Sequence, residues 1–476
     1  MSNKKKRKKE LKKKKFTKKK NSLFIIIMVV LIVGSSLSYA GVRVYQQEQN
    51  ERTQKGAEYY NKALAAYEEG KFEDALKQID QALRYEKAAN YIELKGDILI
   101  GLNRSEEALE IYKRALEENE TNTNLLVKLA NLEITLNNYE SAINYLSKIL
   151  ELEDNDDVRL SRAQLYFNIE DYENAVADLN LLLEKSENDL ELLVRRAECY
   201  LKLGQDELAN KDIERIAAID PSYVQLSQVQ GDYEMQQNNY EQAITKYTNA
   251  VEETNDPKAL LKRGDAYYQL EQYQNAINDY TAYLESNPND IDALSRLSSC
   301  YIHLENYELA YNTLLKLHEL EPKNNDYLYQ LGYSAYMRKD YENTITYWKK
   351  YEDNGGKDKE ILFVIAICYS NMENYDQASK YYTKCIKNKV QEGSSYFNRG
   401  SIYLSKQEYE KALEDFKKSY DLNEQKDYSR YNQGLAYMNL NQFRESTAAF
   451  EEVVEISSNQ ELINQAKDWL SRYYVK

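Results

Sequence analysis

The side chains that most often carry catalysis are scarce in this chain. Two histidines, His303 and His318, occur in 476 residues, so imidazole acid–base chemistry and histidine-rich metal sites have almost nothing to draw on. Both read as surface or packing rings. Cys199, Cys300, Cys368 and Cys385 include no CxxC pair, which leaves no zinc signature and no disulfide framework. The first three share one register and read as small buried thiols; a bridge between Cys368 and Cys385 stays open beside that reading. No phosphate loop, GxSxG, HExxH or dinucleotide fingerprint appears. What remains is the chemistry of 45 tyrosines and 78 carboxylates: stacking, hydrogen bonding and charge, the means of a binding surface. No catalytic residue, cofactor or metal is assigned, and the chain is read as a non-enzyme.

The elements that must position these groups follow from a repeat. An aromatic-x-x-small signal ends at Ala75, Ala108, Ala142, Ala175, Ala209, Ala243, Ala276, Ala310, Thr344, Ala378, Ala412 and Ser446, in steps of 33 or 34 residues. Twelve residues before each stands another small residue: Ala63, Gly96, Ala130, Ala163, Ala197, Gly231, Gly264, Ser298, Gly332, Ala366, Gly400 and Gly434. Two small positions flanking a short polar break describe two antiparallel helices that approach closely. Gly70, Gly204, Asn103, Asn137, Asn239, Asn306, Asn374 and Asn441 supply turn chemistry near the first helix end. Pro221, Pro288 and Pro322 stop the second helix. With only 15 Gly and 4 Pro in all, a sheet protein is excluded.

At these residues the chain resembles the tetratricopeptide repeat family, with Ser105 and Asp206 departing at the aromatic position and Thr344 and Ser446 at the second small one. The resemblance implies an all-α, right-handed superhelical solenoid of about twelve hairpins over residues 56–460. Residues 461–476 carry one apolar helical face and are expected to cap it. The resemblance also makes structural residues of the tyrosines that recur at packing positions, among them Tyr112, Tyr247, Tyr280 and Tyr382, four residues after the second small position.

The N-terminus has a different character. Thirteen Lys or Arg fall in the first 20 residues, while the whole chain has a net charge of -15. An apolar stretch follows, led by Leu23 to Val33 and closed by Arg43, long enough for one membrane span at 22–43. The charge bias places the tail, 1–21, in the cytoplasm, in contact with membrane lipid, and translocates everything after the span. Residues 44–55 are expected to be a linker. Ser38-Tyr39-Ala40 offers the alternative of cleavage at Ala40 and secretion. Only Phe16 interrupts the basic tract, which excludes nucleic-acid binding by stacking. Composition rich in Lys, Asn, Tyr and Ile suits a bacterial source.

The resemblance makes the concave side of the first helices the usual partner site. Its positions carry Asp97, Glu198, Asp232 and Asp265 in repeats 2 to 7, and Tyr329, Tyr333, Phe363, Phe397 and Tyr431 in repeats 9 to 12. The expectation is a groove acidic in its middle and aromatic toward the carboxyl end, binding a protein or peptide with basic and apolar residues.

Overall fold

The computed structural model describes residues 42–473. The basic tail, all but the last two residues of the expected membrane span, the triplet ending at Ala40, and residues 474–476 lie outside the described residues. The described residues form twenty-five helices joined by turns, with no strand. None of these helices is long and apolar enough to cross a membrane.

The chain divides into two compact units that meet in sequence at Pro221 and Ser222. The first holds five helical hairpins, here repeats 1 to 5: 42–68 with Phe72–Tyr85, Ala89–Gly101 with Ser105–Glu118, Thr123–Thr135 with Tyr139–Leu152, Asp156–Asn168 with Tyr172–Lys185, and Leu190–Lys202 with Asp206–Ile219. The second holds repeats 6 to 12: Leu226–Gln236 with Tyr240–Thr254, Pro257–Gln269 with Tyr273–Ser286, Ile291–His303 with Tyr307–Leu320, Asn325–Met337 with Tyr341–Asp353, Ile361–Asn371 with Tyr375–Asn388, Glu392–Ser405 with Tyr409–Asp421, and Lys426–Asn439 with Phe443–Ile456. A last helix, Gln460–Tyr473, packs Leu462, Ala466 and Trp469 against Phe450 and Val453. Within each unit every helix packs on the next, so stability is a sum of neighbour terms rather than the property of one centre.

The second helices start where their sequence dictates. Glu140, Glu173, Glu241, Glu308, Glu342 and Glu410 sit in first turns, where the helix dipole favours a carboxylate. Asp171, Asn306, Asp340 and Asn374 cap four of them by accepting from a backbone N–H three residues on. Immediately before each cap position the chain takes a positive φ in every repeat. Gly70 and Gly204 do so freely, but Glu170, Glu271, Glu305, Lys339, Glu373 and Gln407 do so against the left-handed penalty. Asn239, Asn306 and Asn374, expected in the turn itself, stand one residue later, at the cap. Residues 44–55, expected as a linker, continue the first helix of repeat 1.

Candidate partner-binding face

The first small position does something other than bring two backbones together. A Cβ on Gly231 would lie 2.5 Å from the Tyr247 ring, one on Gly264 2.7 Å from Tyr280, and one on Gly332 2.3 Å from Trp348. Gly96 meets Tyr112 and Gly434 meets Phe450 in the same way, and Gly400 meets Phe416 less tightly at 3.1 Å, always sixteen residues on. The glycine is therefore a slot for an aromatic ring of the second helix. Where the slot residue is Ala63, Ala130, Ala163, Ala197 or Ser298, the partner is smaller: Ile79, Leu146, Leu179, Ile213 or Leu314. Ala366 with Tyr382 is the exception.

A buried tyrosine ring brings a hydroxyl that needs a partner. Three of the slotted rings are tyrosines, and each donates to the aspartate directly after its glycine: Tyr112 to Asp97, Tyr247 to Asp232 at 2.7 Å, and Tyr280 to Asp265 at 2.8 Å. Burial, reinforced by the adjacent carboxylate, pushes all three phenols far above their ordinary pKa. Each aspartate also binds a cation on the first helix of the following repeat: Lys128 at 2.7 Å, Lys262 at 2.7 Å, and Arg296. Asp232 and Asp265, expected as acidic groove positions, are the central members of stitches that join two repeats. Burial pushes the Asp265 carboxyl up despite the facing Arg296.

The expected aromatic residues come together differently. Tyr329, Phe363, Phe397 and Tyr431 occupy one register on four successive first helices of the second unit, all half-buried. Each leans on the ring in the slot of its own repeat: Tyr329 on Trp348, Phe363 on Tyr382, Phe397 on Phe416 and Tyr431 on Phe450, with centroids 5.4 to 6.1 Å apart. The Trp348 indole N–H donates to the Tyr329 carbonyl at 3.0 Å, and the Trp469 N–H to the Tyr431 hydroxyl at 3.1 Å. Tyr333, one turn on from Tyr329, meets Tyr307 edge to face at 6.0 Å. The rings of the row are fixed by this packing and keep only part of their surface accessible.

One set of polar residues carries much of the positioning and was not singled out from sequence. Arg162, Arg196, Arg263 and Arg399 stand one residue before the slot and make paired hydrogen bonds of 2.6 to 2.8 Å to Asp178, Asp212, Asp279 and Asp415 on the second helix. Each also reaches back to the preceding second helix, at Ser147, Asn180, Thr248 and Thr383. The aspartates are nearly inaccessible, and in each clamp one partly buried guanidinium holds three helices together. The signal was present as Arg before the first small residue and Asp three after the second.

The scarce chemical groups are accounted for structurally. All four cysteines are buried and free, so Cys368 and Cys385 are not bridged. Burial raises the thiols of Cys199, Cys300 and Cys368 to about 12 and that of Cys385 to about 11, which keeps them protonated and unreactive. His303 stacks on Tyr273 at 4.5 Å, and His318 lies edge-on to Tyr347, its pKa lowered by burial and by Lys350. No group of three or more metal-ligating side chains occurs among the described residues.

With the slots, stitches and clamps recurring at this period, comparison with known proteins identifies the class. Three family models described as tetratricopeptide repeat match, one at 99–165 and 267–331, one at 60–123 and 229–291, and one at 393–426 and 428–460. Together they cover more than half the chain, which belongs to the tetratricopeptide repeat family. A model described as anaphase-promoting complex, cyclosome, subunit 3 matches 310–385. No curated protein matches. Among solved structures, a tetratricopeptide repeat protein from Parabacteroides merdae is 19% identical, with TM-score 0.42, over 52% of this chain and 99% of its own. Yeast Tom70 is 16% identical, with TM-score 0.29, over 88% and 96%. The Cut9–Hcn1 hetero-tetramer structure gives 11%, 0.34, 86% and 89%.

Proposed function

We propose that this chain is a non-enzymatic scaffold, held at a bacterial membrane by its N-terminal segment, whose extracytoplasmic repeats bind a protein or peptide along the first helices of repeats 9 to 12. One observation carries the binding reading: Tyr329, Phe363, Phe397 and Tyr431 form a partly accessible aromatic row at one register of successive helices, with Tyr333 beside it. Rigid aromatic side chains lose little entropy on contact and present large apolar area, the profile of interface anchors. The acidic balance of the repeats favours a partner carrying basic as well as apolar residues. The anchoring reading rests on the basic tract followed by the apolar run from Leu23. Ser38-Tyr39-Ala40 favours a second reading, release of the repeats by cleavage after Ala40.

Crosslinking in intact cells, with the captured partner identified and then re-tested against purified protein, is the direct experiment. Phe363→Leu with Phe397→Leu and Tyr329→Leu keeps apolar bulk over the inner rings and removes the aromatic face; partner affinity is expected to fall at least tenfold with helicity retained. Unchanged affinity would remove the row as the binding site. An exterior-active reporter fused after Lys476 is expected to be active and membrane-bound; activity in the medium supports cleavage, and activity only inside the cell overturns the topology.

A further inference from the structure

The first helix of repeat 1 begins well before the repeat packs. Residues 42–55 are helical and each is exposed; the first buried residue is Gly56. Apolar side chains in this stretch are confined to its first turn. Val42, Val44 and Tyr45 are 53%, 58% and 61% exposed, whereas residues 46–55, QQEQNERTQK, hold no apolar side chain at all.

That distribution discriminates among occupants. A helix built to pair with another helix repeats its apolar residues every three or four positions over several turns. Here the residues one and two turns beyond Tyr45 are Glu48, Gln49 and Arg52, so no stripe continues. The three apolar side chains spread over roughly 160° of the circumference at 3.6 residues per turn, too broad for a seam and only one turn deep. A thin apolar layer crossed end-on matches this pattern, and the apolar run from Leu23 leads directly into it. Tyrosine is the residue type that settles where hydrocarbon gives way to headgroups.

On the reading that the N-terminal segment is membrane-held, we infer that Val42, Val44 and Tyr45 form an interfacial collar and that residues 46–55 rise from it as a helical post. From Tyr45 to Gly56 the post measures about 16 Å at 1.5 Å per residue. Its polar residues are mostly good helix formers, Gln47 donates to Glu51 one turn on at 3.1 Å, and the far end is pinned where Tyr60 stacks on Tyr91. A stretch this short would not hold as a helix alone; it propagates from the packed repeat. The post gives the first repeat a fixed stand-off, with room beneath it for a partner near the bilayer.

The test uses the full chain in phosphatidylcholine–phosphatidylglycerol vesicles containing a spin-labelled lipid that quenches fluorescence. Single labels go on Gln46→Cys, Gln49→Cys and Thr53→Cys, which share one helix face; the four native thiols are buried and protonated and do not react. Quenching is expected to be several-fold stronger at 46 than at 53, with 49 between. Equal quenching at all three positions, a helix lying along the surface, overturns the post, as does absence of quenching at 46 in vesicle-bound protein. Failure of the chain to float with vesicles overturns the membrane reading itself and is read separately, by flotation.

Discussion

The slot between glycine and ring makes a quantitative claim in repeat 7. Replacing Gly264 with Ala puts a Cβ 2.7 Å from one Tyr280 ring carbon and 2.9 Å from the next, where ordinary contact begins near 3.4 Å. The ring must retreat by about 0.7 Å. It is fully buried, and its hydroxyl is tied to Asp265, which is tied in turn to Arg296 of the next repeat, so retreat disturbs all three. Overpacking of this kind costs about 1–3 kcal/mol, while the gain in helix propensity from Gly to Ala returns about 0.8–1 kcal/mol. The expected net loss is up to about 2 kcal/mol, where an exposed helical glycine would give a gain of about 0.8–1 kcal/mol.

Tyr280→Leu installs the pairing that Ala130 with Leu146 and Ala163 with Leu179 already use. Alone it leaves a hole beside Gly264 and is expected to lose about 2–3 kcal/mol; the loss in the double variant with Gly264→Ala should fall short of the sum of the two single losses by about 1 kcal/mol or more. Because a repeat array does not unfold as one two-state body, the assay is hydrogen exchange resolved to peptides within 257–286. Strict additivity, or a stabilising Gly264→Ala, would refute the slot. Repeat 10 supplies the control. Tyr382 there faces an alanine, with its hydroxyl 3.4 Å from Ser370 rather than on an aspartate, so its ring is not held in the tyrosine–aspartate arrangement.

Three further outcomes are expected. Arg263→Met strands Asp279 in a desolvated site and should lose about 3–5 kcal/mol in repeats 6 and 7, whereas Arg263→Met with Asp279→Leu should recover most of it by the same exchange measurement. Lys339→Gly relieves an exposed residue at φ 60 and should stabilise repeat 9 by about 0.5–1 kcal/mol after the entropy cost of glycine, seen as slower hydrogen exchange there. The four thiols, ordinary near 9 when unfolded and held at about 11 to 12 when folded, keep protons that the unfolded chain has lost. Stability must therefore fall as pH rises above about 9, by up to roughly 1.4 kcal/mol per pH unit for each thiol; melts from pH 8 to 10.5 should show a shallower slope once all four are alanine.

The hairpins were legible because their signal is periodic and local: two small residues twelve apart and a polar break identify each repeat without reference to any other. The ring slot was equally present, since glycine at the first small position is always accompanied by Tyr, Trp or Phe sixteen residues on, but reading it requires treating the two positions as a pair. The positive φ of Glu271 and Lys339 was not legible, because neither residue has an intrinsic preference for it and only the tertiary hairpin enforces it. The pairing of Asp232 and Asp265 was hidden for another reason. Register alone places them on the first-helix side, but their neutralisation depends on a ring from one helix and a cation from the next repeat meeting at one carboxylate. The helix over 44–55 has no apolar stripe to announce it and inherits its conformation from repeat 1.

The buried ring also decides what the surface beside it is made of. Where the slotted ring is a tyrosine beside glycine, its hydroxyl demands an acceptor, and the next position is aspartate in repeats 2, 6 and 7. That aspartate then demands a cation, so the first-helix side becomes a paired, polar seam. Where the slotted ring is Trp348, Phe416 or Phe450, no hydroxyl needs an acceptor on the next residue, and the same position holds Tyr333, Ser401 or Leu435. Repeat 10 reaches the same result by sending the Tyr382 hydroxyl toward Ser370, which leaves Ile367 at that position. Repeats 9 to 12 are thus relieved of the carboxylate–cation seam at that position, which holds an uncharged side chain in each of them. The proposed partner face thus lies in repeats that lack the aspartate beside the slot, its aromatic row standing four positions earlier in register, at Tyr329, Phe363, Phe397 and Tyr431.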